Sequence, residues 1–571
     1  MKPINKYLII FLSLFLFAAC DFMDCNESDY YSKEQIQGSY ARVKQFVTNV
    51  YSYLPQDFCS IDGAMQDAAT DDAIHVYKTS NVQRFVNGTW SANTTIDDKF
   101  SNYYSGIHDA NFYLENMVGL TFEDWKYGDE YEDWMKEYPN YEYEIRFLRA
   151  FFYFELVKRY KNIPLITKVV TKEEANNAEP VAAGVILDFI ISECTEMAQL
   201  LPVSYTNFGK EQETGRVTKG VALALKARAA LYAASPLFNP DNDKSKWIAA
   251  AEAVPGNVLL KEAEAAYEII GNQSALGYTL DKNFANLFGT QNNRSQEVIW
   301  ARPNGENNGF EASNFPMGVT GGKTSTCPTE NLASAFEMNN GEPFDWTNEA
   351  MRENPYAQRD PRFYLTIVHN SMKWPADKEV EIWEGGSNGL PLTNATTTGY
   401  YLRKYVNSSI SFEAGAPTTK AHHNWILFRY AEVLLNYAEA MVNAYDDIAF
   451  TNEKCGMSAL QAVNQVRGRD GVKMPALSET LSPAVFLKRL KNERRVELAF
   501  EGHRFWDLRR WKELDALKDI YGVKITKEES GINYTRQLLD TRLVDDKLYF
   551  YPIANTELFK NDKLKQNPGW D

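Results

Sequence analysis

Gly385-Gly386-Ser387-Asn388-Gly389 spells GxSxG, the letters of a nucleophile elbow, which needs a strand before the serine and a helix after it. Leu390-Pro391-Leu392 and a threonine-rich run follow, and such a run predicts no helix there. Asp241, Asp243, Ser245 and Glu252 share some spacing with a calcium loop, but Lys246 stands where that loop requires glycine. The six histidines, His75, His108, His369, His422, His423 and His503, form no HExxH pair. His422 and His423 are adjacent rather than one turn apart, which reads as a solvated loop and not as a metal site. There is no P-loop and no GxGxxG. Among 76 acidic residues, carboxylate pairs are unavoidable. Glycoside hydrolysis needs two of them about 5–10 Å apart across a cleft, a distance that sequence spacing does not encode. The expectation is a protein with no catalytic residue, no metal and no cofactor, with a surface glycoside hydrolase as the enzymatic alternative.

The densest charged motif runs from Asn492 to Trp511, where Val496, Leu498, Phe500, Phe505, Trp506, Leu508 and Trp511 alternate with charges. Arg494 with Glu497 and Asp507 with Arg510 stand at pairing distance on a helix, and Gly502 allows a break between two helices. A catalytic cluster is one reading. A partly buried ion-pair network that locks a helical corner is the better one, because the planar fork of arginine suits such a role.

The elements that would position these groups are mostly helical. The 571 residues are 44% hydrophobic, 13% aromatic and 24% charged, with a net charge of -16. That composition gives a large globular core and disfavours nucleic-acid binding, which needs a positive face. Ile145, Leu148, Phe152, Leu156 and Tyr160 recur at steps of three and four, predicting one buried helix face that ends before Asn162-Ile163-Pro164. Similar helices are expected at 34–53, 98–118, 181–200, 217–235, 258–271, 427–445, 457–468 and 484–501. Several form pairs with alanines at close-packing positions, compatible with tetratricopeptide-like hairpins. Residues 280–420 differ: they are rich in Gly, Asn, Thr, Pro and Trp, with β-like runs at Glu297–Trp300 and Tyr364–Val368. A long irregular insertion on a helical frame reads as a presented binding surface.

Lys2 and Lys6 precede an apolar run from Tyr7 to Ala19 that stops at Cys20. It falls short of the about 20 residues that a membrane-spanning helix needs. It has instead the layout of a signal peptide over 1–19. Phe17-Ala18-Ala19-Cys20 resembles a lipobox, with Cys20 the acylated residue and 20–33 a polar tether. Cys25, Cys59, Cys194, Cys327 and Cys455 are odd in number and widely spaced, and read as free thiols.

The motif at 492–511 resembles the signature of the SusD/RagB family of outer-membrane nutrient-binding lipoproteins. The likeness extends to Arg146–Phe154 running into Asn162-Ile163-Pro164-Leu165, to Arg359-Asp360-Pro361-Arg362-Phe363, to Phe428–Ala440, to Tyr551-Pro552-Ile553 and to Gln566–Trp570. It implies a mainly α fold of tetratricopeptide-like hairpins supporting a loop-rich half with short strands. It implies an N-terminal helical region at 34–235 and a C-terminal region at 236–571. It further implies a glycan ligand, or alternatively a peptide, and a SusC-like TonB-dependent transporter as partner. Asp21 and Asp24 resemble a cell-surface export signal.

In the family's starch-binding member, aromatics and polar groups of the N-terminal third and the central loops hold the sugar. By that resemblance Asp71, Arg84, Trp90 and Asn93 are candidate ligand contacts, as are Phe315, Trp346, Trp374 and Trp383. Aromatic faces suit the CH face of a pyranose, and Asp, Asn or Arg suit its hydroxyls. Trp90 stands among small polar residues, Gly88-Thr89-Trp90-Ser91-Ala92-Asn93, which predicts an indole presented to solvent.

Overall fold

A computed structural model describes residues 31–205, 213–253 and 278–570. The signal-peptide and Cys20 assignments, Cys25 and the helix expected at 258–271 lie outside the described residues. The apolar steps from Ile145 to Tyr160 belong to a helix at Pro139–Tyr160, with proline in its first turn, where its missing N–H costs nothing. The helix is buried on all sides, not on one face. Its polar positions are neutralised by pairing: Arg159 Nη1 to Glu155 at 2.6 Å and Arg149 Nη2 to Glu193 at 3.2 Å. Lys161, at φ 66°, ends it.

Helices Phe100–Asn116 and Ala183–Leu200 flank it, and Lys219–Ala234 packs against Ala183–Leu200. A second helical layer joins Lys244–Ala251, Tyr430–Tyr445, Ala459–Gly468 and Pro483–Glu497. Alanines 431, 438 and 440 are fully buried, and their small side chains let the helix backbones approach. The expected boundaries shift where stronger local signals intervene. Residues 34–53 split at Gly38 into Lys33–Gln37 and Tyr40–Tyr51. The helix expected from 427 begins at Tyr430, because Ala421–Arg429 is a strand paired with Val298–Asn307. The helix expected to reach 501 stops at Glu497; Phe500 and Gly502 then take positive φ, 60° and 74°. Of the β-like run at 364–368 only Ile367–Val368 is strand. Pro361–Thr366 is helix, started by Pro361 and capped by the Asp360 side chain.

Strands among the described residues form two-stranded antiparallel ladders. The short ladder of Ala73–His75 with Thr326–Pro328 joins the N-terminal third to the central insertion. Cys59, Cys194, Cys327 and Cys455 are free thiols. Asp243 caps the Lys244–Ala251 helix and has no part in a calcium loop.

The corner at 492–511 is an ion-pair network, but its partners differ from those expected. Asp507 does meet Arg510, at 2.8 Å. Arg494 pairs instead with Asp507, at 2.7 Å. Glu497, fully buried, takes contacts from Arg362 and Arg429 at 2.7 Å and from Arg469 at 2.5 Å. Burial opposes ionisation of that carboxyl, but Arg469, Arg429 and Arg362 outweigh it and hold it well below the usual carboxylate range. Helical spacing suggested a local pair; the chain uses Glu497 to tie together three distant segments.

Candidate ligand-binding cleft

The segment 70–85 is fixed from below before it presents anything. Asp71 and Asp72 are buried; Arg504 donates twice to Asp71 at 2.9 Å and Arg495 reaches Asp72 at 2.6 Å. Burial favours the neutral acid, yet Arg495 and Arg504 prevail at Asp71 and lower it to about 2. Above this anchor the strand pairing sets Ile74 opposite Cys327 and His75 opposite Thr326. The ladder is extended by the Val76 N–H donating to the Ser325 carbonyl at 2.9 Å. Beyond it a cleft of about 320 Å³ opens, lined by Asp62, His75, Tyr77, Ser80, Ser313, Lys323 and Ser325 among others.

The polar groups of the cleft are positioned by the backbone. The Asp62 carboxylate accepts from the Asn81 N–H at 2.9 Å, and Ser80 Oγ donates to the Asp62 carbonyl at 3.0 Å. The Tyr77 hydroxyl donates to the Lys323 carbonyl at 2.7 Å, which holds the half-buried ring beside His75 with centroids 5.4 Å apart. Ser325 Oγ donates to the Gly63 carbonyl and lies 3.2 Å from His75 Nδ1. Its single proton is thereby used, so Nδ1 carries the donor and Nε2 is left as an acceptor. Burial lowers the His75 pKa below its ordinary value, which favours this neutral form. The exposed Lys323 ammonium has no ion-pair partner among the described residues. One aromatic face, a carboxylate, a neutral imidazole, an ammonium and several hydroxyls thus surround a space near the small end of the about 300–1,000 Å³ typical of ligand pockets.

None of the eight sequence-derived candidates lines this cleft. Trp90 is 3% exposed, packed edge-on against Phe85, Tyr551 and Trp570. The expectation of a presented indole is corrected: its local neighbours are small, but distant aromatics cover it. Asp71 serves the anchor just described. Phe315 is buried against Trp374, itself 4% exposed, at 5.4 Å. Trp346 is half-buried and donates to Glu330 at 2.7 Å. Trp383 is half-buried under Lys527, whose ammonium stands 4.2 Å above the ring. Arg84 lies on the Asn81–Phe85 turn beside the cleft, and exposed Asn93 accepts from Asn555 at 2.7 Å. His423 corrects the solvated reading too: it is buried, 2.9 Å from Glu311. The lining residues missed, Tyr77, Lys323 and Ser325, sit in short polar runs with no periodicity to mark them.

Residues 21–231 match a family described as starch-binding and associating with the outer membrane, and residues 286–570 match the SusD family. The chain belongs to the SusD family. Among its relatives, SusD-like protein P25 of Formosa agariphila is 23% identical over 565 residues, covering 91% of this chain and 92% of the relative. A SusD-like protein from Bacteroides fragilis superposes with a TM-score of 0.73 at 26% identity, over 94% of this chain and 98% of that one. A SusD-like carbohydrate-binding protein from the same species has a TM-score of 0.71 at 24% identity, over 93% of this chain and 100% of that one. The mainly helical SusD-like fold expected from the sequence is therefore the fold observed. Among the described residues, no helix is long and apolar enough to cross a membrane.

Proposed function

We propose that this SusD-family protein captures a glycan at the cell surface without cleaving it, and delivers it to a SusC-like TonB-dependent transporter in the outer membrane. The observation that carries the reading is the composition of the cleft: the Tyr77 ring with Asp62, His75, Lys323 and the serine hydroxyls around it. A ring stacks on the CH face of a sugar while its hydroxyls need both donors and acceptors. The carbohydrate-binding relative and the starch-binding description of residues 21–231 support the same ligand class. The lipid anchor would be Cys20, holding the protein on the outer face of the outer membrane.

Isothermal titration of the purified protein against a panel of oligosaccharides tests the ligand class. Saturable binding that weakens in Tyr77→Ala is the expected result. Binding of peptides and of no glycan would overturn it. Purification from outer membranes through a tag on this chain tests the partner, a TonB-dependent barrel being the expected companion.

A further inference from the structure

A second, polar cavity of about 290 Å³ lies between the N-terminal helices and the C-terminal corner; Ser60 and Ile61 line it where the next residues, Asp62 and Gly63, line the cleft. It reaches the surface beside Ser52, Ser60 and Asn102, all exposed. Six cationic side chains and four carboxylates line it, a positive balance inside a protein of net charge -16.

Five of those cations have carboxylate partners. Lys99 and Arg159 meet Asp97 at 3.8 and 3.0 Å, Lys158 meets Glu155 at 2.6 Å, Arg228 meets Glu432 at 2.5 Å and Arg494 meets Asp507 at 2.7 Å. Arg302 is the exception. Carried on the Val298–Asn307 strand opposite Trp425, it is half-buried and donates from Nη1 to the Leu54 carbonyl. It has no carboxylate within ion-pair distance among the described residues. Glu144 and Glu213, which share a neighbouring pocket with it, are taken by Arg216 at 2.5 and 2.8 Å. Desolvation without a counter-charge lowers its pKa. A guanidinium held this way is a fork with N–H groups to spare, suited to a carboxylate or sulfate.

We propose that this cavity binds an acidic monosaccharide, with Arg302 taking the carboxylate. The volume suits one ring and not a chain. Tyr53, Tyr103 and Trp506 supply apolar wall, and Asn102, Ser52 and Ser60 supply hydroxyl partners at the mouth. The proposal does not rest on the cleft, whose lining residues it does not share.

The test is calorimetric titration of the purified protein with sodium glucuronate, with glucose, sodium sulfate and sodium chloride at matched ionic strength as the other arms. Saturable glucuronate binding is expected, weakened on the order of tenfold or more in Arg302→Gln and unchanged in Tyr77→Ala. Arg302→Lys, which keeps the charge but not the fork, should bind with intermediate affinity, and it stands in if Arg302→Gln fails to fold. Binding of sulfate but not glucuronate would overturn the sugar assignment. Absence of any saturable binding, or equal affinity in wild type and the Arg302 variants, would overturn the site.

Discussion

Trp90 meets Trp570 edge to face, with ring centroids 4.9 Å apart and planes at 66°. An indole from the N-terminal third is thus closed over by the chain's last tryptophan. Trp90→Ala should therefore cost about 3–5 kcal/mol of stability, as loss of a large buried aromatic does. Glycan affinity of the folded protein should stay unchanged. Urea unfolding paired with calorimetry separates the two; lost affinity at full stability would return Trp90 to the binding surface.

Tyr77→Ala should behave in the opposite way. Losing one stacking face costs on the order of 1–3 kcal/mol by analogy with base stacking, about 5- to 150-fold in affinity. The half-buried ring leaves the melting temperature little changed, and Tyr77→Phe keeps most of the affinity. Equal glycan affinity in wild type and Tyr77→Ala would move the site elsewhere.

Glu497→Gln removes the one charge that, among the described residues, Arg362, Arg429 and Arg469 all share. Leaving buried cations without that charge costs roughly 3–5 kcal/mol, so the variant should unfold at lower denaturant while the folded fraction still binds ligand. A variant that melts normally but binds nothing would make the corner functional.

Acid should destabilise the protein between pH about 4.5 and about 2. At Glu155 and Asp71 burial favours the neutral acid, but Lys158 and Arg159 in one case, Arg495 and Arg504 in the other, lower each carboxyl to about 2. The folded state then holds fewer protons than the unfolded one, so the stabilisation is complete above the unfolded pKa and disappears as pH falls through the folded one. Asp57 acts in the other sense: burial raises it to about 7, so its contribution weakens as pH rises from about 4 to 7. Denaturant midpoints at pH 7, 4 and 3 check this; a midpoint rising from pH 4 to 3 would contradict it.

Cys20→Ala should yield a folded protein without a lipid. Labelling with a palmitate analogue reads this directly, and equal label in wild type and variant would remove the lipoprotein assignment.

The helical frame was legible because burial leaves a periodic trace. Tyr40, Val43, Val47 and Val50, at steps of three and four, are the buried positions of their helix. Ile145 to Tyr160 also mark a helix, although burial on all its sides means that their spacing does not define its buried face, and Gly502 marks the corner. Boundaries failed where a strand or cap took over, as at Ala421–Arg429 and Asp360-Pro361. The cleft was not legible. Tyr77 and Lys323 meet only through tertiary pairing, and neither stands in a pattern. Trp90 is indicated by the family resemblance and its small polar neighbours, and Phe315 by its place in the central insertion, yet both are core, where large aromatics are most often found.

His75 and Ser325 are 250 residues apart in the chain yet share one contact. Closing so long a loop is entropically unfavourable until other contacts hold its ends, so the two walls of the cleft meet only when both segments are held in place by the rest of the fold. A chain halted after residue 231 would already carry Asp62, His75 and Tyr77, yet have no opposite wall. The proposed capture of ligand by this surface therefore needs a finished molecule, since a chain without the central insertion lacks one wall of the cleft.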